Sequence, residues 1–240
     1  MSADDPHERL ARRELEAWRR EMLRDPSALE RAAKGLQVRV NALIPEKIHA
    51  AITKVIEQMT RGILVGSDFV TAEPLRNASL AERELQVRKA ITGYRNVASI
   101  EGGVTGAGGF LAAAADFPAL IAIKIKLLFE IAALYGHDGA DWRERLYILA
   151  IFQLAFSGPD HRRAIYEAMV AGNHPASPED FDWRRFQQEY RDYIDLAKLA
   201  QMLPVVGAPV GAIVNWRLLE RLGETAINAY RLRWFEGRSG

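Results

Sequence analysis

The sequence of 240 residues contains no cysteine. That excludes a disulfide framework and a thiolate metal site, and it fits a reducing compartment. Net charge is almost absent too, at +1. This argues against a polyanion-binding protein, so nucleic acid is not expected as a partner. No apolar run is long and unbroken. Two stretches of about 20 residues approach the length of a membrane span, Gly102 to Ile123 and Leu199 to Trp216. The first contains Asp116, which costs about 3 kcal/mol at a bilayer centre. The second contains Pro204, Pro209 and Asn215. Neither is expected to span. The N-terminal residues alternate arginines with acids and lack an apolar core, so neither a secretory signal nor a transit peptide is expected.

Signatures of chemistry are scarce as well. Gly106-Ala107-Gly108-Gly109 follows no predicted strand, Leu111 stands at the third fingerprint position, and no Gly-Lys-Ser/Thr follows, so it is a poor nucleotide loop. The histidines (His7, His49, His137, His161 and His174) show no zinc spacing. No Gly-x-Ser-x-Gly elbow is present. No catalytic residue, metal site or cofactor is predicted.

What the sequence does have is helical periodicity and 49% hydrophobic residues, enough for a sizeable core. Leu10, Leu15, Trp18 and Met22 predict an amphipathic helix within residues 1–25. Residues 26–240 read as a single helical domain. Within it, Ser27 is a candidate N-cap for a helix ending at Pro45, and Ile48, Ile52, Val55 and Met59 mark the next. Ser79 and Glu82 form a predicted capping box, and Asp141 with Glu144 a second. Leu146 to Ser157 is apolar on all sides and so predicted to be buried. Asp160 is the expected cap of a short helix holding Ile165, Met169 and Val170. Phe186, Tyr190 and Tyr193 mark an aromatic helical face, and a last helix runs from about Leu218 to Trp234. No stretch alternates as a strand does. The predicted fold is therefore all-α, one multi-helix domain built around a Gly/Ala-rich central helical hairpin, Val97 to His137.

That hairpin is expected to turn at Asp116-Phe117-Pro118, with Asp116 as N-cap, Pro118 in the first turn and Gly136 as a left-handed C-cap. The glycines between Gly102 and Gly109 have two readings. They form either a helix packed closely on another backbone or an anion-binding loop. Small-xxx-small spacing recurs at Gly102/Gly106 and Gly207/Gly211, which nominates these four for close helix packing.

Charged and polar groups that interrupt apolar sequence nominate a polar site: Glu101, Asp116, Lys124, Glu130, His137 and Asp138. The bland alternative is capping for Asp116 and a solvent-facing stripe for Lys126 and Glu130. Near the C-terminus, Arg231, Arg233 and Trp234 are candidates to face lipid, or else belong to an ordinary amphipathic helix with its aromatics in the core.

The order and separation of several segments resemble the EcsC protein family. They are Ile44-Pro45-Glu46-Lys47, Glu101 to Gly106 with Gly108-Gly109, Ala115-Asp116-Phe117-Pro118, Tyr135-Gly136-His137-Asp138, Leu203 to Ala208, and Ala229 to Arg233. The family takes its name from a protein encoded beside a bacterial ABC exporter. The resemblance implies a bacterial, helical, membrane-linked protein and supplies no active site. The expected function is non-enzymatic work at or beside a membrane, as an accessory to a transport system. The expected location is the cytoplasm, peripheral at the inner face of the cell membrane, with a membrane surface or membrane protein as partner. The alternative is an enzyme or small-ligand binder with its site between the central hairpin and the C-terminal apolar segment.

Overall fold

The structure, a computed structural model, describes residues 5–27, 60, 62–63, 72–106, 109–172 and 207–237. For 98–106, 109–121, 159–160 and 207–215 only the backbone is described. The helices predicted between Ser27 and Met59 and around Phe186 to Tyr193 lie outside these residues. Among the described residues there are six helices and no strand: α1 Pro6–Leu23, α2 Leu80–Gly106, α3 Gly109–Tyr135, α4 Trp142–Phe156, α5 Pro159–Val170 and α6 Gly207–Glu236. The chain is all-α, as its periodicity predicts.

The helix starts follow local chemistry. Asp5 caps α1 by accepting from the His7 N–H, with Pro6 in the first turn. Ser79 and Glu82 close the predicted capping box before α2: Ser79 N–H donates to Glu82 Oε2 at 2.8 Å, and Glu82 N–H to Ser79 Oγ at 3.3 Å. Hydrogen bonds from Ser79 hold the Glu82 carboxyl below its usual range. The second box forms by half. Asp141 accepts from the Arg143 N–H, but Glu144 turns into the core instead of back to the cap. Gly158, not Asp160, holds the N-cap position of α5, because Pro159 suits the first turn and sets the start earlier.

Gly136 ends α3 as expected, in the left-handed region with φ of 93°. Its N–H donates to Ala133 O and that of His137 to Ala132 O, the paired bonds of a Schellman motif. A Cβ here would stand 2.9 Å from Arg83 Nη1 and 3.0 Å from Leu75 O. The other end of α3 corrects the expectation. The helix runs unbroken through Asp116 and Pro118, from Gly109 to Tyr135. The alanines before Asp116 have the highest helix propensity and carry the helix through, at the expense of the hydrogen bond Pro118 cannot donate. Gly102 to Gly106 are helical. Toward the C-terminus one long helix, Gly207–Glu236, includes Pro209 and lies well ahead of the expected start near Leu218.

α2 and α6 form the most extensive contact, and α3 packs on both. The two run antiparallel. Glu84 meets Arg231, Arg88 meets Glu224, Ile91 meets Gly223, and Arg95 meets Glu220. A Cβ at Gly223 would come 2.5 Å from Ile91 Cδ1. The two backbones approach there because glycine leaves room for isoleucine. α4 is buried along almost its whole length, as its composition predicts, and packs on α6 and α5. α1 lies across α2, α5 and α6. It buries Ala11, Leu15 and Met22 in the common core, while Leu10 is 53% exposed, against the sequence reading. Leu10 falls outside the arc that Ala11, Leu15 and Met22 define, so it turns to solvent.

Candidate functional site

Where α1, α2 and α6 meet, charge is buried rather than expelled. Glu84 follows Leu80 by four residues and precedes Val87 by three, so it occupies the apolar face of α2 and is 1% exposed. Arg231, on α6, is 2% exposed. Its guanidinium grips Glu84 with two bonds, Nε to Oε1 at 2.7 Å and Nη2 to Oε2 at 2.8 Å. Nη1 reaches Glu14 of α1 at 2.7 Å and Asn228 at 3.4 Å. Glu84 also meets His7 Nε2 at 2.9 Å and accepts from the Tyr135 hydroxyl at 3.3 Å. Burial pushes the Glu84 carboxyl up, but the bonds and charge of Arg231, then His7, outweigh it and leave the pKa below the usual range. Burial likewise works against the Arg231 charge, and Glu84 with Glu14 overcomes it.

A second cluster lies beside the first. Tyr135 stacks on Tyr230 with ring centroids 5.0 Å apart. The Tyr230 hydroxyl donates to Glu144 Oε1 at 2.5 Å, and Arg233 Nη1 donates to Glu144 Oε2 at 2.5 Å. His137 also stacks on Tyr230, 5.3 Å from its ring, with Nδ1 3.6 Å from Glu144 Oε2. Burial lowers the His137 pKa against the pull of Glu144. The Tyr147 hydroxyl donates to Ala229 O at 2.6 Å, and Arg233 lies 4.2 Å over its ring. Burial raises the pKa of Tyr135, Tyr147 and Tyr230. Arg83 completes the region. It donates to the carbonyls of Ala78, Leu75 and Leu134, tying α2 and the preceding loop to the end of α3.

Of the predicted polar residues whose side chains are described, His137 joins this place, and Lys124, Glu130 and Asp138 do not. Asp138 accepts from the Ala140 N–H in a local turn. Glu130 accepts from the Tyr94 hydroxyl at 2.9 Å. Lys124 is buried in α3, and burial brings its ammonium down to about 8. Glu101 and Asp116 lie in α2 and α3, with side chains outside the described residues, as is the packing of Gly102, Gly106, Gly207 and Gly211. The three C-terminal candidates for lipid contact point inward or along the body. Arg231 is enclosed, Arg233 is bound to Glu144, and the Trp234 indole donates to Glu8 Oε1 at 3.3 Å. Opposed acids on α1, α2 and α4 draw these groups in. An open groove of about 410 Å³ between α2 and α3 is lined by Leu85, Lys89, Ala90, Glu130 and Leu134 among others. Among the described residues, no three acids or histidines gather as metal ligands.

The sequence reading missed Glu84 and assigned Glu144 to a cap. The usable signal was a carboxylate at a core-facing helical position: Leu80, Glu84, Val87 and Ile91 form one stripe.

The profile of the EcsC protein family matches residues 9–235, nearly the whole chain and every described helix. The chain belongs to the EcsC protein family. Protein EcsC of Bacillus subtilis (strain 168) is 44% identical over 224 residues, covering 93% of this chain and 94% of the relative. The uncharacterized protein YdbA of the same organism is 25% identical over 255 residues, covering 96% and 93%. No solved structure matches significantly. The EcsC match begins inside α1 and ends inside the last turn of α6. It therefore includes both Glu14 and Arg231, the two ends of one contact that joins the N-terminal helix to the rest.

Proposed function

We propose that this EcsC-family protein is a non-enzymatic helical protein that works at the surface of a membrane, as an accessory to a membrane transport system. The observation that carries the first part is how the buried acids are used. Glu84 is answered by Arg231, His7 and Tyr135, and Glu144 by Arg233 and Tyr230. A catalytic carboxylate needs a face open to substrate. These two are enclosed by partners from other helices, the arrangement of groups that fix one packing of the bundle. The membrane part rests on kinship with a family named for a protein encoded beside an exporter. No helix among the described residues is long and apolar enough to cross a membrane, so the proposed attachment is peripheral.

Fractionation of the native bacterial cell tests this. The expected result is recovery with membranes at low ionic strength and release by high salt or alkaline carbonate. Recovery wholly in the cytosol at low ionic strength would overturn the membrane reading. Retention until detergent is added would overturn its peripheral character.

A further inference from the structure

We infer that the outward face of α1 is the surface that binds anionic phospholipid headgroups. The inference rests on the membrane reading above and names the element responsible. Ala11, Leu15 and Met22 define the buried face of α1. On the opposite side, Arg9, Arg13 and Arg20 are all exposed. Spacings of four and seven place them on one stripe about 16 Å long.

The charges of this helix are sorted. Its acids are engaged by neighbouring donors: Glu8 by the Trp234 indole, Glu14 by Arg231, Glu16 by Arg19, and Glu21 by Arg24 and Arg162. Two of its arginines also face the body, Arg12 over the Phe235 ring at 4.0 Å and Arg19 on Glu236 at 2.6 Å. The helix ends are held in the same way, with Arg163 donating to Leu23 O. Acids and body-facing arginines fix the helix, and Arg13 and Arg20 face solvent. Glu16 borders the stripe, 3.3 Å from Arg19.

The apolar neighbours decide between kinds of anion. Leu10 is 53% and Leu23 41% exposed, both on this helix. Basic residues with leucine beside them suit the headgroup and acyl boundary of a bilayer. A single-stranded nucleic acid is gripped by exposed aromatics that stack bases, and the aromatic of α1, Trp18, packs instead against Tyr166. The occupant is therefore an anionic lipid surface.

The test is co-sedimentation of the full chain with large vesicles of phosphatidylglycerol and phosphatidylcholine, and with phosphatidylcholine alone, at low salt. The wild type should sediment with the anionic vesicles only. Each arginine near an anionic surface is worth about fivefold in partition, so Arg13→Gln with Arg20→Gln should weaken binding about 25-fold and leave the melting temperature unchanged. Arg88→Gln with Arg143→Gln removes the same charge from α2 and α4 and should leave more binding than the α1 pair. Equal loss from both pairs, or none from the α1 pair, would overturn the assignment to α1 while leaving the membrane reading intact. A wild type that ignores anionic vesicles takes down both. Binding to a labelled oligonucleotide without vesicle binding would overturn the choice of lipid.

Discussion

The sharpest perturbation of this structure is Arg231→Met. It removes the cation that answers Glu84 and keeps the length and most of the volume of the side chain. Glu84 is then left 1% exposed with only His7 and the Tyr135 hydroxyl, and Glu14 loses its contact to α6. Removing one partner of a buried pair destabilises by about 3–5 kcal/mol, because the other charge stays without compensation. For a chain of this size each kcal/mol moves the melting temperature about 2–4 °C. The variant should therefore melt about 6–20 °C below the parent.

Two further measurements probe the same pair. Glu84→Gln in the same chain should return part of the loss, since the amide keeps an acceptor for Tyr135 without a buried charge. The double variant should thus be more stable than the sum of the single changes allows. The second check is pH. The folded Glu84 pKa lies below the unfolded value, so the ion pair's contribution is present above the usual carboxylate value of 4.5 and is lost as pH falls through the folded one. The gap between parent and Arg231→Met should therefore narrow in acid. Urea melts at neutral and acidic pH read both. A variant that melts within 2 °C of the parent (roughly 1 kcal/mol) at neutral pH would refute the claim that this pair organises the core.

Other changes should follow the same physics. Gly136→Ala forces a side chain into the left-handed region and against Arg83 and Leu75, and should cost about 1–3 kcal/mol in a thermal melt. Raised tyrosine pKa values at 135, 147 and 230 mean that their stabilisation is complete below the unfolded value of 10 and is lost as pH rises above it; absorbance of tyrosinate should show a late fraction that titrates together with unfolding. Gly106→Leu should cost about 1–3 kcal/mol by overpacking if α2 and α6 stay close toward their glycine-rich ends, and an unchanged melting temperature would remove that idea.

The legible parts of this fold were those decided locally. The Ser79–Glu82 box, the C-cap at Gly136 and the buried helix after Asp141 each depend on residues a few positions apart, and each stands where the periodicity and capping rules put it. The break in the central stretch was misplaced because two local rules competed. Asp116 and Pro118 are good starting residues, but they follow alanines that have already begun a helix. Once nucleated, a helix adds one bond per residue and crosses a weak position more readily than it restarts.

The buried network was illegible for a different reason. Arg231 lies among aromatics in the sequence, and such a pattern fits a lipid surface as well as a core. What decides between them is the acid that stands opposite, and that acid is 147 positions away on α2. The antiparallel register makes the point concrete. Arg231 on Glu84 is followed by Glu224 on Arg88, then Gly223 on Ile91, then Glu220 on Arg95. One register thus aligns an enclosed pair, a glycine for an isoleucine, and two surface pairs. A slip by one residue would turn Glu84 away from Arg231 by about 100° and break the two-bond contact between them, at a cost well above that of a slipped apolar contact. The charged pair therefore serves this fold less by adding stability than by making the neighbouring registers expensive.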